Sequence, residues 1–195
     1  MCEKCSMSQQ ERLAWDERFR TGDHADSSAD PFLNQLADYS ELLPARGRAL
    51  DVACGAGRNS VWLAQKGWEV TALDVSLEGL RRARDLACQS GVRLHLLCQD
   101  TETPPLCLNR FDLIICFFYL DRKLFPWLRA ALRPEGLIVY KTYTVDQQRF
   151  SSGPRHKLHL LEPQELLNQF RDFRVWFYQE TVQGRGVAQI IAQKS

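Results

Sequence analysis

The chain has 195 residues, of which 45% are hydrophobic and 25% charged, and its formal net charge is +1. This composition is typical of one globular domain with a large core, and the charge argues against general electrostatic binding of nucleic acid. No apolar run approaches the ~20 residues that span a bilayer, and the polar N-terminus lacks the apolar segment of a secretory signal. A cytoplasmic protein is therefore expected.

The cysteines point to the same compartment. There are seven, an odd number without a disulfide-like spacing, which indicates reducing conditions. Cys2 and Cys5 form one C-x-x-C pair, but no second pair lies near it to complete a zinc site. We interpret the two residues as free thiols in a frayed tail, and we expect no metal site.

Two helices are predicted before the first strand. The first covers Gln9–Phe19, where Trp15 and Phe19 lie four residues apart on one face. A small, polar loop follows at Thr21–Asp30. Asp30-Pro31 then predicts the start of the second helix, because Asp is a favourable cap and Pro fits the first turn.

From residue 48 the sequence alternates between strands and helices. Strands are predicted at about 48–53, 68–75, 93–100, 111–118 and 136–144, and the apolar run at 111–118 suggests a central strand buried on both faces. Ser76 is a suitable cap for the helix after the second strand. Pro126 predicts a kink or a late start in the helix at about 121–132. The alternation predicts an α/β fold with a mostly parallel sheet.

The C-terminal part contains a long polar connection and a hairpin. Val145–His159 is long for a connection in a compact domain, so we interpret it as a functional loop or lid. A helix begins at Pro163 and is followed by two strands, F-R-V-W-F-Y-Q-E-T and G-V-A-Q-I-I-A-Q-K. Their short glycine connection at Gln183–Gly186 predicts a hairpin, so at least one of these strands is antiparallel.

The first strand runs into a glycine turn. Arg48–Arg58 reads R-A-L-D-V-A-C-G-A-G-R, an apolar run with an acid and then two glycines around an alanine. Glycine is needed where a turn requires positive φ or where a side chain would block a ligand. Ser60 stands where a dinucleotide fold has its third glycine, and no lysine follows as in a phosphate-binding loop. The turn therefore predicts a ligand close to the backbone, with pyrophosphate disfavoured.

Acidic residues lie at the ends of the first three strands. Asp51 precedes the glycine turn, and Asp74 and Asp100 end the second and third strands. Ligands of an open parallel sheet bind beyond the carboxyl ends of its strands. Asp74 is placed to accept hydrogen bonds from two ribose hydroxyls, and Asp100 from an amine on a base. Any one of these acids would equally fit a helix cap or a turn, but together they predict a nucleoside site.

Two segments, L-D-V-A-C-G-A-G-R-N-S and A-L-D-V-S, resemble the class I S-adenosylmethionine-dependent methyltransferases. Asp51, Gly55 and Gly57 match the family's first motif, and Ala53 replaces its first glycine. L-R-P-E-G-L resembles the family's Pro-Gly-Gly turn, with Glu135 in place of one glycine. The resemblance covers about residues 48–194. It implies a Rossmann-like three-layer α/β/α sandwich whose seven-stranded sheet has the order 3-2-1-4-5-7-6, with strand seven antiparallel.

Four further segments resemble the tellurite-resistance and thiopurine methyltransferase-like group of that family: G-R-N-S, W-D-E-R-F, L-L-E-P-Q-E-L-L and V-A-Q-I-I-A-Q-K. This likeness implies a single domain over 1–195, in which 1–47 cover the cofactor site and 48–195 form the core. It implies methylation of a small molecule, with soft sulfur, selenium or tellurium nucleophiles among the acceptors. A monomer or weak homodimer is expected, without nucleic acid or membrane as a partner.

The resemblance also implies which residues bind S-adenosylmethionine. Gly55 and Gly57 would face its methionine part, Asp74 its ribose hydroxyls, and Val75 its adenine. The implied set is Trp15, Arg18, Asp51, Ala53, Gly55, Gly57, Arg58, Asn59, Asp74, Val75, Asp100, Thr101, Cys116 and Phe117.

Within that set, some roles are shared or open. Asp100 and Thr101 would reach the adenine amine, and Cys116 and Phe117 would lie near the sulfonium. Either of two arginines, Arg18 or Arg58, is a candidate for the carboxylate of the cofactor. The ring of Trp15 would fold over the cofactor, although core packing explains it equally well.

Methyl transfer needs alignment and a dry pocket more than a strong base, since orientation can contribute ~7–11 kcal/mol, so no catalytic residue is assigned. Phe117, Phe118 and Tyr119 are candidate pocket walls with cation–π attraction to the charged sulfur, but at most two of them are expected to line it. His156 is a weak candidate base, and solvation in the loop is the simpler interpretation of His156 and His159. The C-F-F-Y-L segment lacks the Asn/Asp-Pro-Pro-aromatic run of DNA amino-methyltransferases.

Two other functions are compatible with parts of this pattern. A non-catalytic regulatory protein would keep the cofactor pocket without turnover. A nicotinamide oxidoreductase would need the glycine that Ser60 replaces. The sequence leaves the methyl acceptor open, because the residues expected to face it lie in the irregular stretches Thr21–Asp30 and Val145–His159.

Overall fold

The computed structural model describes residues 7–22, 28–100 and 108–195, with side chains from residue 10 onward. Thr101, Cys2 and Cys5 lie outside the described residues, and so does most of the loop predicted at Thr21–Asp30. By its internal contacts the chain divides into two compact units, Met1–Pro105 and Leu106–Ser195. The expectation of one domain over the whole chain remains a prediction.

The first unit begins with two helical segments. Helix α1 covers Met7–Thr21, slightly more than predicted. The second segment, Pro31–Leu42, is a 3-10 helix with a kink at Tyr39, where an ordinary helix was expected. Its predicted cap is confirmed, since Asp30 Oδ1 accepts a hydrogen bond from Phe32 N at 2.9 Å. The non-helical backbone at Tyr39, with φ −118° and ψ 18°, interrupts the segment, so it does not continue as one regular helix.

The rest of this unit alternates strands and helices as predicted. Its elements are β1 (Arg48–Val52), α2 (Arg58–Gln65), β2 (Glu69–Asp74), α3 (Leu77–Gln89) and β3 (His95–Cys98). Strand β1 pairs in parallel with β2, and β2 in parallel with β3. Ser76 caps α3 as predicted, because its Oγ accepts a hydrogen bond from Gly79 N at 3.0 Å. Strand β3 is shorter than the predicted 93–100, and no residue in it is buried.

The second unit holds the remaining strands. Its elements are β4 (Phe111–Phe117), α4 (Leu124–Ala131), β5 (Leu132–Tyr143), α5 (Glu165–Gln169), β6 (Arg174–Thr181) and β7 (Val187–Gln193). Six of the seven residues of β4 are buried, in line with the predicted central strand. Helix α4 begins only two residues before Pro126, so the late start is confirmed. Proline fits there because the first turn of a helix has no backbone acceptor for its N–H.

All seven strands form one sheet with the order β3-β2-β1-β4-β5-β7-β6. Strand β7 runs antiparallel to both β5 and β6, whereas β1 with β2, β2 with β3, and β4 with β5 pair in parallel. The Rossmann-like α/β class, the strand order and the C-terminal hairpin are therefore confirmed. In the parts of the chain that the structure describes, no helix has the length and apolar character to cross a membrane.

Strand β5 begins earlier than the predicted residue 136. Leu132 already pairs with Phe111, and the pairing then shifts so that Leu137 lies opposite Leu113. Within the bulge Glu135 has φ +61°, a left-handed conformation that favours glycine. Glu135 therefore adopts the conformation for which the resembling family uses glycine in its Pro-Gly-Gly turn.

The long connection after β5 contains two short 3-10 helices, Val145–Arg149 and Lys157–His159. Gln147 in the first is only 1% exposed. Its Nε2 donates to Ser152 O at 2.6 Å, and its Oε1 accepts from Gly186 N at 2.9 Å. A Cβ at Gly186 would lie 2.3 Å from Gln147 N, so only glycine allows this approach. The connection is thus hydrogen bonded to the β6–β7 hairpin. Its role as a lid stays a prediction.

Candidate functional site

The glycine turn after β1 is built from left-handed backbone. Ala53, Gly55 and Gly57 have φ of +55°, +55° and +79°. Hydrogen bonds hold both ends of the turn: Cys54 N donates to Leu73 O, and Gly57 N to Cys54 O, each at 3.0 Å. The chain reverses in a few residues, and α2 begins directly after Gly57.

Gly57 is also required by packing. A Cβ built on this residue would lie 2.6 Å from the Cβ of Ala83 in α3. Because real Cβ atoms do not approach so closely, the turn and α3 can be neighbours only if residue 57 has no side chain. The glycine therefore serves the packing of the turn as well as its conformation.

Asp74, at the carboxyl end of β2, is hydrogen bonded to the glycine turn. Its Oδ2 accepts from Gly55 N at 2.8 Å and its Oδ1 from Ser76 N at 2.8 Å. The residue is 7% exposed, and burial raises the pKa of its carboxyl group. Each carboxylate oxygen has a second lone pair, so the group retains acceptor capacity for two ligand hydroxyls.

Asp51, on β1, is 1% exposed and contacts the first turn of α2. The hydroxyl of Ser60, itself fully buried, donates to Asp51 Oδ2 at 2.6 Å. Burial raises the pKa of Asp51 to about 7, and the hydrogen bond from Ser60 offsets part of that effect. Ser60, where a dinucleotide fold has glycine, thus joins β1 to α2 by a hydrogen bond.

This raised pKa predicts a pH-dependent stability that Asp51→Asn removes. Between the ordinary pKa of 3.8 and about 7, the folded protein binds a proton at Asp51 that the unfolded chain has lost. Stability from this group is therefore full at low pH and decreases as the pH rises. We expect the difference in unfolding free energy, wild type minus Asp51→Asn, to fall by roughly 1 kcal/mol per pH unit between pH 5 and 6.5. Urea titrations at each pH measure it.

The matched control for that series is Asp85→Asn. Asp85 is exposed and pairs with Arg84 on the surface of α3 at 2.9 Å. The difference in unfolding free energy between wild type and Asp85→Asn should stay constant over the same pH range, since exposed ion pairs contribute little. A flat difference for Asp51→Asn as well would contradict the prediction.

Helix α1 packs over the glycine turn through Phe19, which is 4% exposed. The Cζ atom of Phe19 lies 3.2 Å from the position of a Cβ at Gly55, and its Cε2 lies 2.9 Å from one at Gly79. Trp15 is partly exposed, and its ring centre is 6.1 Å from that of Phe19. The Arg18 guanidinium lies 4.8 Å from the centre of the Trp15 ring. Phe19 thus packs directly against the turn and against the first turn of α3.

Sequence reasoning missed Asp16, which joins α1 to α3. Asp16 is 9% exposed, and its Oδ1 accepts from Ser76 Oγ at 2.6 Å and from Glu78 N at 3.1 Å. Three residues separate it from Phe19, so both lie on one helix face. An acid on the apolar face of α1 was the available signal in the sequence, since a buried carboxylate requires donors.

Arg58 and Asn59, which begin α2, contact the segment before the 3-10 helix. Asn59 is 6% exposed, and its Oδ1 accepts from Asp30 N at 2.9 Å. Arg58 donates to Ser28 O at 3.3 Å. These bonds give both residues a structural role beside the binding role implied by the resemblance.

The ends of β2 and β3 lie side by side. Gln99 N donates to Asp74 O at 3.0 Å, and Cys98 Sγ lies 3.7 Å from Val75 O. Asp100, partly exposed, follows two residues after β3 ends. Val75 and Asp100 are therefore brought to the carboxyl edge of the sheet that carries Asp74.

The candidate residues of the second unit lie at the end of β4 and directly after it. Cys116 is fully buried, with Sγ 3.9 Å from Tyr119 O, and Phe117 is 7% exposed. Tyr119 O also accepts from the Tyr140 hydroxyl at 2.8 Å. Phe118 and Tyr119 are partly exposed, so the rings after the strand are more accessible than Phe117.

His156, the weak candidate base, is exposed. Its Nδ1 accepts from Leu158 N at 3.3 Å and caps the 3-10 helix Lys157–His159. The imidazole ring of His156 and that of His159, the last residue of this helix, have centres 6.0 Å apart. Over 10–22, 28–100 and 108–195, no group of three or more His, Cys, Asp or Glu residues is arranged to hold a metal ion.

The residues of the first unit suit an adenosyl ligand that carries an amino acid. Asp74 retains acceptor capacity for ribose hydroxyls, and the turn beside it has backbone in place of side chains at Gly55 and Gly57. The side chain of Cys54, in the same turn, belongs to the core instead. It is buried against Ala72 and Leu80, and burial raises the pKa of its thiol.

Comparison with known proteins agrees with this geometry. Residues 49–136 match the family described as a methyltransferase domain. The chain is 36% identical over 111 residues to a putative methyltransferase, YqeM, of Bacillus subtilis, covering 52% of this chain and 44% of that one. It is 32% identical over 107 residues to the ubiquinone biosynthesis O-methyltransferase of Haemophilus ducreyi, covering 49% and 44%. The chain thus spans less than half the length of these relatives.

Solved structures show the same fold. The crystal structure of TehB from Haemophilus influenzae has a TM-score of 0.70 to this chain at 16% identity, covering 92% of this chain and 67% of that one. The domain match over 49–136 contains the glycine turn, Asp74 and the first residues of β5. Residues 49–136 are therefore similar to a methyltransferase domain, and the chain has the Rossmann-like fold of this solved structure.

Proposed function

We propose that this chain is an S-adenosylmethionine-dependent methyltransferase that methylates a small-molecule acceptor. The observation that carries the proposal is the 2.8 Å hydrogen bond from Gly55 N to Asp74 Oδ2. It keeps the glycine turn and a strand-end carboxylate together at the edge of the sheet where nucleosides bind in α/β folds. The methyltransferase domain match covers both residues.

In this proposal the residues of the first unit bind and orient the cofactor. Asp74 accepts the two ribose hydroxyls, Val75 lies against the adenine, and Asp100 and Thr101 accept from the adenine amine. The amino acid part lies along the backbone of the Gly55 turn, which has no side chain to obstruct it. The other proposed contacts in the first unit are Trp15, Arg18, Asp51, Ala53, Gly57, Arg58 and Asn59. Cys116 and Phe117 of the second unit also stay in the proposed set.

The chemistry requires positioning. When bound, S-adenosylmethionine supplies a methyl group on a positively charged sulfur. An acceptor bound beside it would take this methyl group, and S-adenosylhomocysteine would be the leaving group. The protein holds the two partners in line and keeps water out, which can contribute ~7–11 kcal/mol. No general base is assigned, in keeping with the exposed position of His156.

The acceptor is proposed to be a small molecule, with soft sulfur, selenium or tellurium nucleophiles as the first candidates. The motifs shared with the tellurite-resistance and thiopurine methyltransferase-like group support this choice. The name of the Haemophilus ducreyi relative, an O-methyltransferase of ubiquinone biosynthesis, also supports a small molecule and adds oxygen as an acceptor atom. The net charge of +1 gives no support to nucleic acid as the acceptor.

Calorimetry and an acceptor screen test this function. We expect the purified chain to bind S-adenosylmethionine and S-adenosylhomocysteine, because both carry the ribose and amino acid that the site is proposed to hold. Release of S-adenosylhomocysteine is then measured with selenite, tellurite, thiols, thiopurines and phenols. We expect turnover of at least one of these classes, and no release without an acceptor.

Two results would replace the proposal with one of its alternatives. Stabilisation by NADH but not by S-adenosylhomocysteine would favour a nicotinamide oxidoreductase. Cofactor binding without turnover of any acceptor class would favour a non-catalytic regulatory protein.

A further inference from the structure

Asp16, on α1, caps the start of α3 from outside that helix. The first N–H groups of a helix have no acceptor within the helix itself. The hydroxyl of Ser76 accepts from one of them, Gly79 N, at 3.0 Å, and Asp16 Oδ1 accepts from another, Glu78 N, at 3.1 Å. Asp16 Oδ1 also accepts from the Ser76 hydroxyl at 2.6 Å. A residue of the N-terminal helix therefore completes the cap of α3.

Ser76 connects Asp16 to Asp74, the residue proposed to accept the ribose hydroxyls. The hydroxyl of Ser76 donates to Asp16, and its backbone N–H donates to Asp74 Oδ1 at 2.8 Å. The other oxygen of Asp74 accepts from Gly55 N at 2.8 Å. The orientation of the Asp74 carboxylate thus depends on two backbone N–H groups, one in the glycine turn and one at the start of α3.

All three side chains of this connection are buried. Asp16 is 9% exposed, Ser76 0% and Asp74 7%. A buried polar group that loses its partner carries a desolvation penalty, because water does not replace the lost hydrogen bond. Without the Asp16 carboxylate, the start of α3 is therefore expected to move until the Ser76 hydroxyl finds another acceptor. The Ser76 N–H that binds Asp74 would move with it.

The hydrogen bonds of Asp16 matter here more than its charge. Burial raises the pKa of the Asp74 carboxyl group, and the negative charge of Asp16 adds to that increase. The charge at position 16 is therefore unfavourable for the ionised form of Asp74, which is the stronger hydrogen-bond acceptor. An asparagine at position 16 would also offer an acceptor oxygen to Ser76 and Glu78, without the charge.

We propose that Asp16 is a positioning residue of the cofactor site: through Ser76 it holds the Asp74 carboxylate in the orientation that receives the ribose hydroxyls. Asp16 acts on the cofactor only through these two residues. This inference rests on the proposed methyltransferase function, because the role of Asp74 as the ribose acceptor belongs to that proposal.

The test measures how much the ribose hydroxyls contribute to binding. S-adenosylhomocysteine and its 2′,3′-dideoxy analogue are titrated into the full chain by calorimetry, and the ratio of their affinities is the hydroxyl preference. We expect a preference of roughly tenfold or more in the wild type, since hydrogen bonds to a charged group are strong. Asp16→Ala should reduce it to about threefold or less, because Asp74 is no longer held in the orientation that both hydroxyls require.

Two further variants test the connection through Ser76. Asp16→Asn keeps an acceptor oxygen, so its hydroxyl preference should stay within about twofold of the wild type. Ser76→Ala removes the hydroxyl that binds Asp16 but keeps the N–H that binds Asp74, so it should lower the preference as Asp16→Ala does. It also tests the inference if Asp16→Ala does not fold. Combining Ser76→Ala with Asp16→Ala should lower the preference no further, since both changes break the same connection.

Glu17→Ala is the matched control. Glu17 is the next acid along α1, but its side chain is 62% exposed and pairs with Arg20 of the same helix. This variant should leave the affinities for both ligands, and hence the hydroxyl preference, unchanged.

The inference is wrong if Asp16→Ala and Ser76→Ala leave the affinity for S-adenosylhomocysteine unchanged. It is also wrong if they weaken both ligands by the same factor, since Asp16 would then serve the fold alone. A loss of preference in Asp16→Asn as large as in Asp16→Ala would likewise contradict it. In these cases the wild type still binds S-adenosylhomocysteine, so the proposed function stands. If the wild type does not bind that ligand, the methyltransferase function itself is wrong.

Discussion

Asp74→Ala is expected to weaken the binding of S-adenosylmethionine by ten- to hundredfold. The variant removes the acceptor proposed for both ribose hydroxyls, and hydrogen bonds to a charged group contribute ~1.5–3 kcal/mol. It also removes two hydrogen bonds of 2.8 Å each, which the N–H groups of Gly55 and Ser76 donate to the carboxylate in the wild type. The glycine turn loses one of its hydrogen bonds to β2, so the affinity falls for two reasons. Titration calorimetry at a temperature where the variant is folded measures the change.

Two further variants separate these reasons. Asp74→Asn keeps one acceptor oxygen and nearly the same shape, so its loss of affinity should be intermediate. Asp85→Ala removes an exposed acid from α3 and should leave the affinity unchanged. Unchanged calorimetric affinity in Asp74→Ala would remove Asp74 from the cofactor site.

Gly57→Ala is expected to lower the unfolding free energy by about 2–5 kcal/mol. The added methyl group would lie 2.6 Å from the Cβ of Ala83, and the residue has φ +79°. The left-handed conformation costs ~1–2 kcal/mol for a residue with a side chain, and overpacking a filled site costs ~1–3 kcal/mol. Urea titration followed by circular dichroism measures the loss, which is a large part of the ~5–15 kcal/mol typical of a domain.

Gly67→Ala isolates the conformational part of that loss. Gly67 has φ +93°, but a Cβ there would have no atom within 4 Å. It should therefore lose only ~1–2 kcal/mol. In the double variant, Gly57→Ala with Ala83→Gly, removing the opposing methyl group should recover the packing part, seen as a coupling energy between the two sites. Equal losses in Gly57→Ala and Gly67→Ala, without coupling, would contradict the packing explanation.

The sequence was sufficient for the features that depend on local patterns. The apolar runs that end at Asp51 and Asp74 predicted β1 and β2, and the short glycine connection predicted the β6–β7 hairpin. The strand order came from the resemblance, since the topology of a sheet is not encoded in any one segment. The glycines of the turn were recognisable because only glycine suits that combination of φ and close approach.

Other features depend on contacts between distant residues. Asp16 and Ser76 are 60 residues apart, so the sequence does not show their hydrogen bond. It shows only an acid on an apolar face. The contacts of Lys141 and Arg185 with the Phe118 ring join the end of β4 to β5 and to the last hairpin, so no one segment of the sequence shows them. The segment 31–42 was expected to be an ordinary helix because its Asp30-Pro31 start does not distinguish an α-helix from a 3-10 helix.

The bond between Asp16 and the start of α3 has a thermodynamic consequence for the proposed enzyme. Asp16 accepts from Ser76 Oγ and Glu78 N, and Asp74 accepts from Ser76 N. The docking of α1 and the occupancy of the ribose site therefore act on the same short turn of backbone. Coupled equilibria are reciprocal. If the docking of α1 strengthens nucleoside binding, a bound nucleoside stabilises the docked α1 by the same free energy. In the proposed site, α1 and the bound nucleoside would therefore stabilise each other through Ser76 and Glu78, the two residues that Asp16 contacts.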